Sequence, residues 1–212
     1  MTRRKSPRII PVILVLIAIA IAVAVLISVA RYLFLPRADD NKNDKADTAV
    51  VLTPRESLLD TSADRSVSLI ASGPIVAQEN FRSYQITIGP SQRKLVLYEG
   101  YLGAVVDTLE LGNNVNAYTQ FVYALDKAGL ANGEPLNEDD GHRMGVCATG
   151  EFYQFDLLKN YNKDLIARFW TSTCSGSKGT LDANPRQVID LFVQQIPGAR
   201  SILRNINVYA SS

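Results

Sequence analysis

The sequence predicts an α+β fold: an antiparallel β-sheet domain with two helices packed on it, carried behind an N-terminal transmembrane helix and a disordered stalk. Three observations predict it. Strand-like runs follow one another directly over residues 67–112, helical spacing of apolar residues appears only twice beyond them, and residues 9–30 are apolar without a break.

The first element is IIPVILVLIAIAIAVAVLISVA, residues 9–30, with no charge and a single serine. At 1.5 Å per residue such a helix crosses a hydrocarbon core of about 30 Å. Pro11 falls in its first turn, where a missing backbone N–H costs little. Arg3, Arg4, Lys5 and Arg8 precede it, so residues 1–8 are expected in the cytoplasm and the rest of the chain outside it. Ser28 and Ala30 are spaced like a signal-peptidase site, but the apolar core of a signal peptide is only about 7–15 residues long. The run therefore reads as a retained single-pass anchor whose partner is the lipid bilayer.

Residues 31–66 are rich in Asp, Asn, Lys and Ser, with apolar islands only near Val50 and Leu58. They bury too little to offset their ordering entropy and read as a mostly disordered or weakly helical stalk. The folded domain is expected over residues 67–212. VSLIASGPIVA has strand composition with a Gly73-Pro74 interruption, which suggests an edge strand or a bulge. Tyr84, Ile86 and Ile88 alternate with polar residues, as in a half-buried strand. RKLVLYEGYLGAVVDTLELG reads as a hairpin turning at Glu99, Gly100 and Gly103. Next, Tyr118, Phe121, Val122 and Leu125 fall at helical spacing, with Asn113 or Asn114 as cap and Gly129 as stop. A second helix opens at Asn184-Pro185 and buries Val188, Leu191, Phe192 and Ile196. The tail SILRNINVYA is compatible with one more strand.

A formal net charge of +1, without any interleaved run of basic and aromatic residues, excludes nucleic acid as a partner. The chemistry that remains centres on residues 141–176, which hold the one histidine, His142, and both cysteines, Cys147 and Cys174. EFYQFDLL and DLIARFWTST flank the turn-prone KNYNK. A turn centred between Asn160 and Tyr161 would pair Phe155 with Ile166, Tyr153 with Arg168, Glu151 with Trp170, and Cys147 with Cys174. Opposed residues on antiparallel strands lie within disulfide reach, and an extracytoplasmic domain with two cysteines is expected to join them. Gly145 and Gly150 are the positions at which a bulge would shift that register.

Gly141-His142-Arg143 and Thr173-Cys174 locally resemble the sortase transpeptidases. That resemblance implies a thiolate at Cys174, His142 as its partner and an arginine at the oxyanion, for which Arg186 is the candidate. Three features depart from the pattern. The separation from His142 to Cys174 is too short for the strands a sortase barrel places between them, Arg186 sits in a helical first turn, and Cys147 stands ready to consume the thiol. Asn137 to Gly141, NEDDG, lacks the downstream glutamate of a calcium loop. SGSKGT, residues 175–180, lacks the Walker spacing. No cofactor or metal is implied. Tyr98, Tyr101 and Tyr118 are candidates for ring contacts with a partner, with packing as the default.

GPIVAQENFRSYQITI, GNNVNAYTQFVYALDKAGL, CATGEFYQF and RFWTSTCSGSKGT together resemble bacterial envelope domains carried on a single N-terminal helix. The likeness implies an extracytoplasmic setting and carries over no activity and no catalytic residue. The expected function is a non-catalytic binding or scaffold domain, tethered to the membrane, whose partner is an envelope or surface protein or a glycan. The competing expectation is a sortase-like cysteine transpeptidase using Cys174, His142 and Arg186.

Overall fold

The computed structural model describes residues 52–136, 143 and 145–205. The expected cytoplasmic segment, the anchor at 9–30, the stalk up to residue 51, the NEDDG loop with His142, and the tail beyond Asn205 lie outside the described residues. Among those described, no helix is long and apolar enough to cross a membrane.

Among the described residues, six strands form one sheet: β1 (Ser66–Ser72), β2 (Arg82–Ile88), β3 (Gln92–Glu99), β4 (Ala104–Gly112), β5 (Phe152–Lys159) and β6 (Asp164–Ser172). Their order is β4-β3-β2-β1-β5-β6, and every pairing is antiparallel. Successive side chains point to opposite faces. One face carries Val67, Leu69, Ala71, Tyr84, Ile86, Ile88, Leu95, Leu97, Tyr153, Phe155, Leu157, Ala167 and Phe169, all buried. Helices α1 (Pro54–Leu59), α2 (Val115–Lys127), α3 (Pro185–Gln194) and α4 (Ala199–Asn205) supply most of the remaining core residues, among them Leu58, Phe121, Phe192 and Leu203. The antiparallel sheet with helices packed on it is thus the expected α+β architecture.

β1 is a central strand, not an edge: it pairs β2 on one side and β5 on the other. The chain leaves the sheet at Ser72, so Gly73 and Pro74 fall just past its end and never interrupt the ladder. α2 starts on the Asn114 side chain, which accepts from Ala117 N–H at 2.9 Å, and Gly129 takes φ +86° beyond its end. α3 is capped by Asn184 with Pro185 following, as the sequence indicates. Arg93 then closes the far end of α3, donating to the Gln195 carbonyl at 3.0 Å while its other guanidinium nitrogens hold the Gly112 carbonyl at the end of β4.

Two segments differ from the sequence reading. Residues 53–59, inside the expected stalk, make a capped helix: Thr53 Oγ1 accepts from Glu56 N–H at 3.2 Å and Glu56 Oε2 accepts from Thr53 N–H at 2.8 Å. Leu58 is buried in the core, and Arg55 clasps Asp126 at 2.6 and 2.9 Å. The folded part therefore begins before Val67. Residues 201–205 are helical where a further strand was expected, since Ile202 and Leu203 turn onto the core one helical turn after Ala199.

Asp126 sits in the last turn of α2, where a negative charge opposes the helix dipole. The hydrogen bonds from Arg55 nevertheless hold its carboxyl below the ordinary carboxylate range, with the positive charge adding to them and partial burial working against both. At Asp60 burial pushes upward, but hydrogen bonds from the Ser62 hydroxyl and amide and from Arg65 prevail and the carboxyl is again lowered. Both carboxyls are depressed on folding. Their contribution is therefore complete above the unfolded value of about 4 and is lost as pH falls through the folded value. The urea midpoint should stay level near neutrality and decline below about pH 4, and Asp126→Asn should flatten part of that decline; an acid limb identical to wild type would remove Asp126 from the account.

Phe192 is fully buried, edge-on to Phe121 at 5.2 Å and tilted against Phe155 at 6.0 Å. Phe192→Ala should lower unfolding free energy by about 3–5 kcal/mol. Urea titration followed by far-UV circular dichroism measures it.

Candidate functional site

The sheet face turned away from the helices is not uniformly wet. Across β1, β5 and β6 the ladder places Ile70, Gln154 and Trp170 in one row and Ser68, Asp156 and Arg168 in the next. Phe152 lies diagonally beside Trp170, with ring centroids 5.7 Å apart and planes 26° from parallel. Ile70, Phe152, Gln154, Arg168 and Trp170 of this set floor a cleft of about 330 Å³. Its walls come from three loops: Gly73, Ile75 and Phe81 after β1, Tyr101 at the β3–β4 turn, and Arg143, Gly145, Val146 and Cys147 before β5.

Each wall is tied down. The β3–β4 turn runs through Gly100 and Gly103 at φ +69° and +68°, a conformation that favours glycine. It presents Tyr101, which stacks on Phe81 at 4.1 Å and whose hydroxyl accepts from Val76 N–H at 3.0 Å and donates to Val76 O at 2.6 Å. Ile75 N–H donates to the Ala148 carbonyl at 2.8 Å, joining two of the walls. The third wall is held by sulfur.

Cys147 and Cys174 lie at disulfide distance, their sulfurs 2.07 Å and their Cα atoms 5.5 Å apart, and no free cysteine is present among the described residues. The expected pairing is correct, but the register that suggested it is not. The β5–β6 ladder pairs Phe155 with Phe169, Tyr153 with Thr171 and Gln154 with Trp170. Asn160, Tyr161 and Asn162 all adopt positive φ, which widens the turn, and a bulge between Leu157 and Leu158 leaves Ile166 unpaired. The ladder runs on through Thr173 N–H to the Glu151 carbonyl at 3.0 Å. Cys147 reaches Cys174 only because residues 145–150 double back, and Gly150 lies beneath the bond. A Cβ there would collide with Thr173 Oγ1 and come within 2.8 Å of Cys147 Sγ.

The other residues singled out from sequence separate. His142 lies outside the described residues. Arg186 is exposed in the first turn of α3, its N–H held by Asn184 Oδ1 at 3.1 Å. Cys147, not Cys174, borders the cleft. SGSKGT folds back along the outer edge of β6: Thr180 and Leu181 N–H donate to the Trp170 carbonyl at 3.0 and 3.1 Å, and the Thr171 hydroxyl donates to Lys178 O at 3.0 Å. Tyr118 is a core residue whose phenol is pushed up mainly by burial, Tyr98 is half-buried, and Tyr101 alone of the three tyrosines borders the cleft. No group of His, Cys, Asp and Glu among the described residues is placed to hold a metal ion.

Polar groups in the cleft fall into two classes. Asp156, only 5% exposed, accepts a two-pronged ion pair from Arg168 at 2.8 and 2.9 Å, and its Oδ2 also accepts from Gln154 Nε2 at 2.9 Å. Arg143 has no ion-pair partner among the described residues, and its guanidinium carbon lies 5.9 Å from the centre of the Trp170 ring. Trp170 Nε1 is buried and finds no acceptor among the described residues. Among the described residues that line it, the cleft offers aromatic surface, Arg143 and Arg168, with no histidine and no free thiol. The chain matches no known protein-family model, and no curated protein is similar enough to count as a relative.

Sequence reading missed this cleft, although one signal was available. Phe152 and Trp170 occupy the same strand face as Ser72, Gln154 and Asp156, and large aromatics on an otherwise polar face need a cover.

Replacing Cys147 and Cys174 together by serine reopens a separation of 27 residues. Stability should fall by about 3–4 kcal/mol in the chain-entropy picture. Thermal melting reads the loss, and reductant should lower the wild-type midpoint while leaving the double variant unmoved. Equal melting of both proteins would show that the bond constrains little.

Proposed function

We propose that this protein is a single-pass, membrane-anchored domain displayed outside the cytoplasm, and that it acts by binding, without catalysis, through the aromatic cleft. The observation that carries the reading is the cleft itself, whose Phe152 and Trp170 floor is roofed by a loop pinned through Cys147. Loops positioned on a rigid scaffold around a concave, mostly apolar hollow are the usual form of a ligand site. The disulfide supports both the compartment and the absence of thiol chemistry: such bonds persist in oxidising surroundings, and a bonded Cys174 offers no thiolate. Residues 9–30 supply the anchor, residues 1–8 the cytoplasmic end, and the polar stretch after them the distance from the bilayer. The partner is an envelope component, reached without nucleic acid, metal or cofactor.

Intact cells test compartment and chemistry together. A membrane-impermeant maleimide should leave the protein unlabelled as isolated and label both cysteines after treatment with an impermeant phosphine reductant. Labelling that needs no reductant, or that occurs only after the membrane is breached, would reject the proposal. The same preparation should show the N-terminal residues retained, with the protein partitioning into detergent.

A further inference from the structure

We infer that the cleft takes a small carboxylic acid: an apolar, preferably aromatic body lying on Phe152 and Trp170, and one carboxylate received by Arg143. This rests on the cleft being the binding site, and it names what that site selects. The body follows from the walls, since Ile70, Ile75, Phe81, Tyr101, Phe152 and Trp170 present flat or branched apolar surface. The charged end follows from which polar groups are already committed. Both oxygens of Asp156 are occupied, by Arg168 and Gln154, so a ligand amine finds no open carboxylate there. The charged group of the cleft that remains without an ion-pair partner among the described residues is Arg143.

Trp170 is only 9% exposed, and its Nε1 has no acceptor among the described residues. Arg143 rides on the same indole at 5.9 Å and has no ion-pair partner among the described residues. A guanidinium fork matches a carboxylate in shape and charge. An anion answers both the charge and the hydrogen-bond donors of Arg143, whereas an alcohol or amide answers only the hydrogen bond. A volume of about 330 Å³ lies at the small end of ligand cavities and admits a compact molecule, not a folded partner. The same carboxylate chemistry occurs at the C-terminus of a peptide ending in an aromatic residue. The cleft is assigned to the free acid, because a peptide brings a polar backbone for which the walls offer few partners.

Trp170 is the single tryptophan of the chain, so its emission reports this site without interference. The full chain in phosphatidylcholine vesicles is titrated with hydrocinnamate, phenylpropanol, phenylpropylamine and acetyl-glycyl-phenylalanine, with protein-free vesicles as the partition control. Hydrocinnamate should shift the emission saturably and bind tighter than the other three. Arg143→Gln should weaken the acid about tenfold and leave the alcohol unchanged, while Phe152→Ala weakens acid and alcohol alike. Melting curves of both variants establish that each is folded. An alcohol or amine that binds as tightly as the acid, a peptide that binds tighter, or an Arg143→Gln variant with wild-type affinity for the acid would overturn the carboxylate assignment while leaving the cleft a binding site. Emission that responds to none of the four probes would overturn the assignment and the binding role of the cleft together.

Discussion

The bond between Cys147 and Cys174 is the constraint on which the open face of the sheet depends. β5 and β6 extend as far as Glu151 and Thr173 by backbone pairing alone, and that ladder would carry the preceding chain straight off the sheet. The disulfide instead folds residues 145–150 back, which sets Arg143, Val146 and Cys147 over the side chains of Phe152 and Trp170. Gly150 is the condition for this fold-back, because any side chain there occupies the space of the sulfurs and of Thr173. Hydrogen bonds from Ser177 to the Val146 and Cys174 carbonyls, both at 3.0 Å, lock the loop on the other side of the bond to the same structure. One covalent link thereby converts a bare sheet face into a lined hollow.

That conversion has an electrostatic consequence. Arg168 and Asp156 face each other across the β5–β6 ladder, and under the loop the aspartate is nearly enclosed. A buried charge without its partner is strongly destabilising. The two-pronged geometry and the third bond from Gln154 leave neither oxygen unmet. The Asp156–Arg168 pair is consequently close to neutral, and Arg143 is the cation beside the cleft that has no ion-pair partner among the described residues.

How much of this was legible in the sequence depends on how local the determining interactions are. The caps at Asn114 and Asn184, the stop at Gly129 and the hairpin at Gly100 and Gly103 each involve neighbours in the chain, and each was readable. Thr53 and Glu56 carried a capping-box signature that the polar composition around them obscured, so α1 was taken for stalk. The β5–β6 turn was placed in the right segment, but its centre lies one residue later, between Tyr161 and Asn162, and the register differs. Three consecutive residues at positive φ and an unpaired Ile166 add length that no propensity specifies. The cysteine pairing survived that error because two cysteines near the ends of one hairpin have only each other to join. The cleft was illegible for a different reason: Ile75, Tyr101, Arg143, Phe152 and Trp170 converge from separate parts of the chain, and nothing in their spacing records it.

The two edges of the sheet differ in how their backbone groups are met. β6 has its outer edge filled, with Leu136 N–H donating to the Arg168 carbonyl at 2.8 Å and Thr180 and Leu181 covering Trp170. β4, at the opposite edge, is exposed along most of its length, and an unpaired flat strand of that kind invites pairing with another chain. Its register shift against Leu97 and Tyr98 bends it, and Asp107 accepts its neighbour Thr108 N–H at 2.8 Å, withdrawing a donor that an added strand would use. The helices occupy one face of the sheet, and the aromatic floor lies on the roofed part of the other.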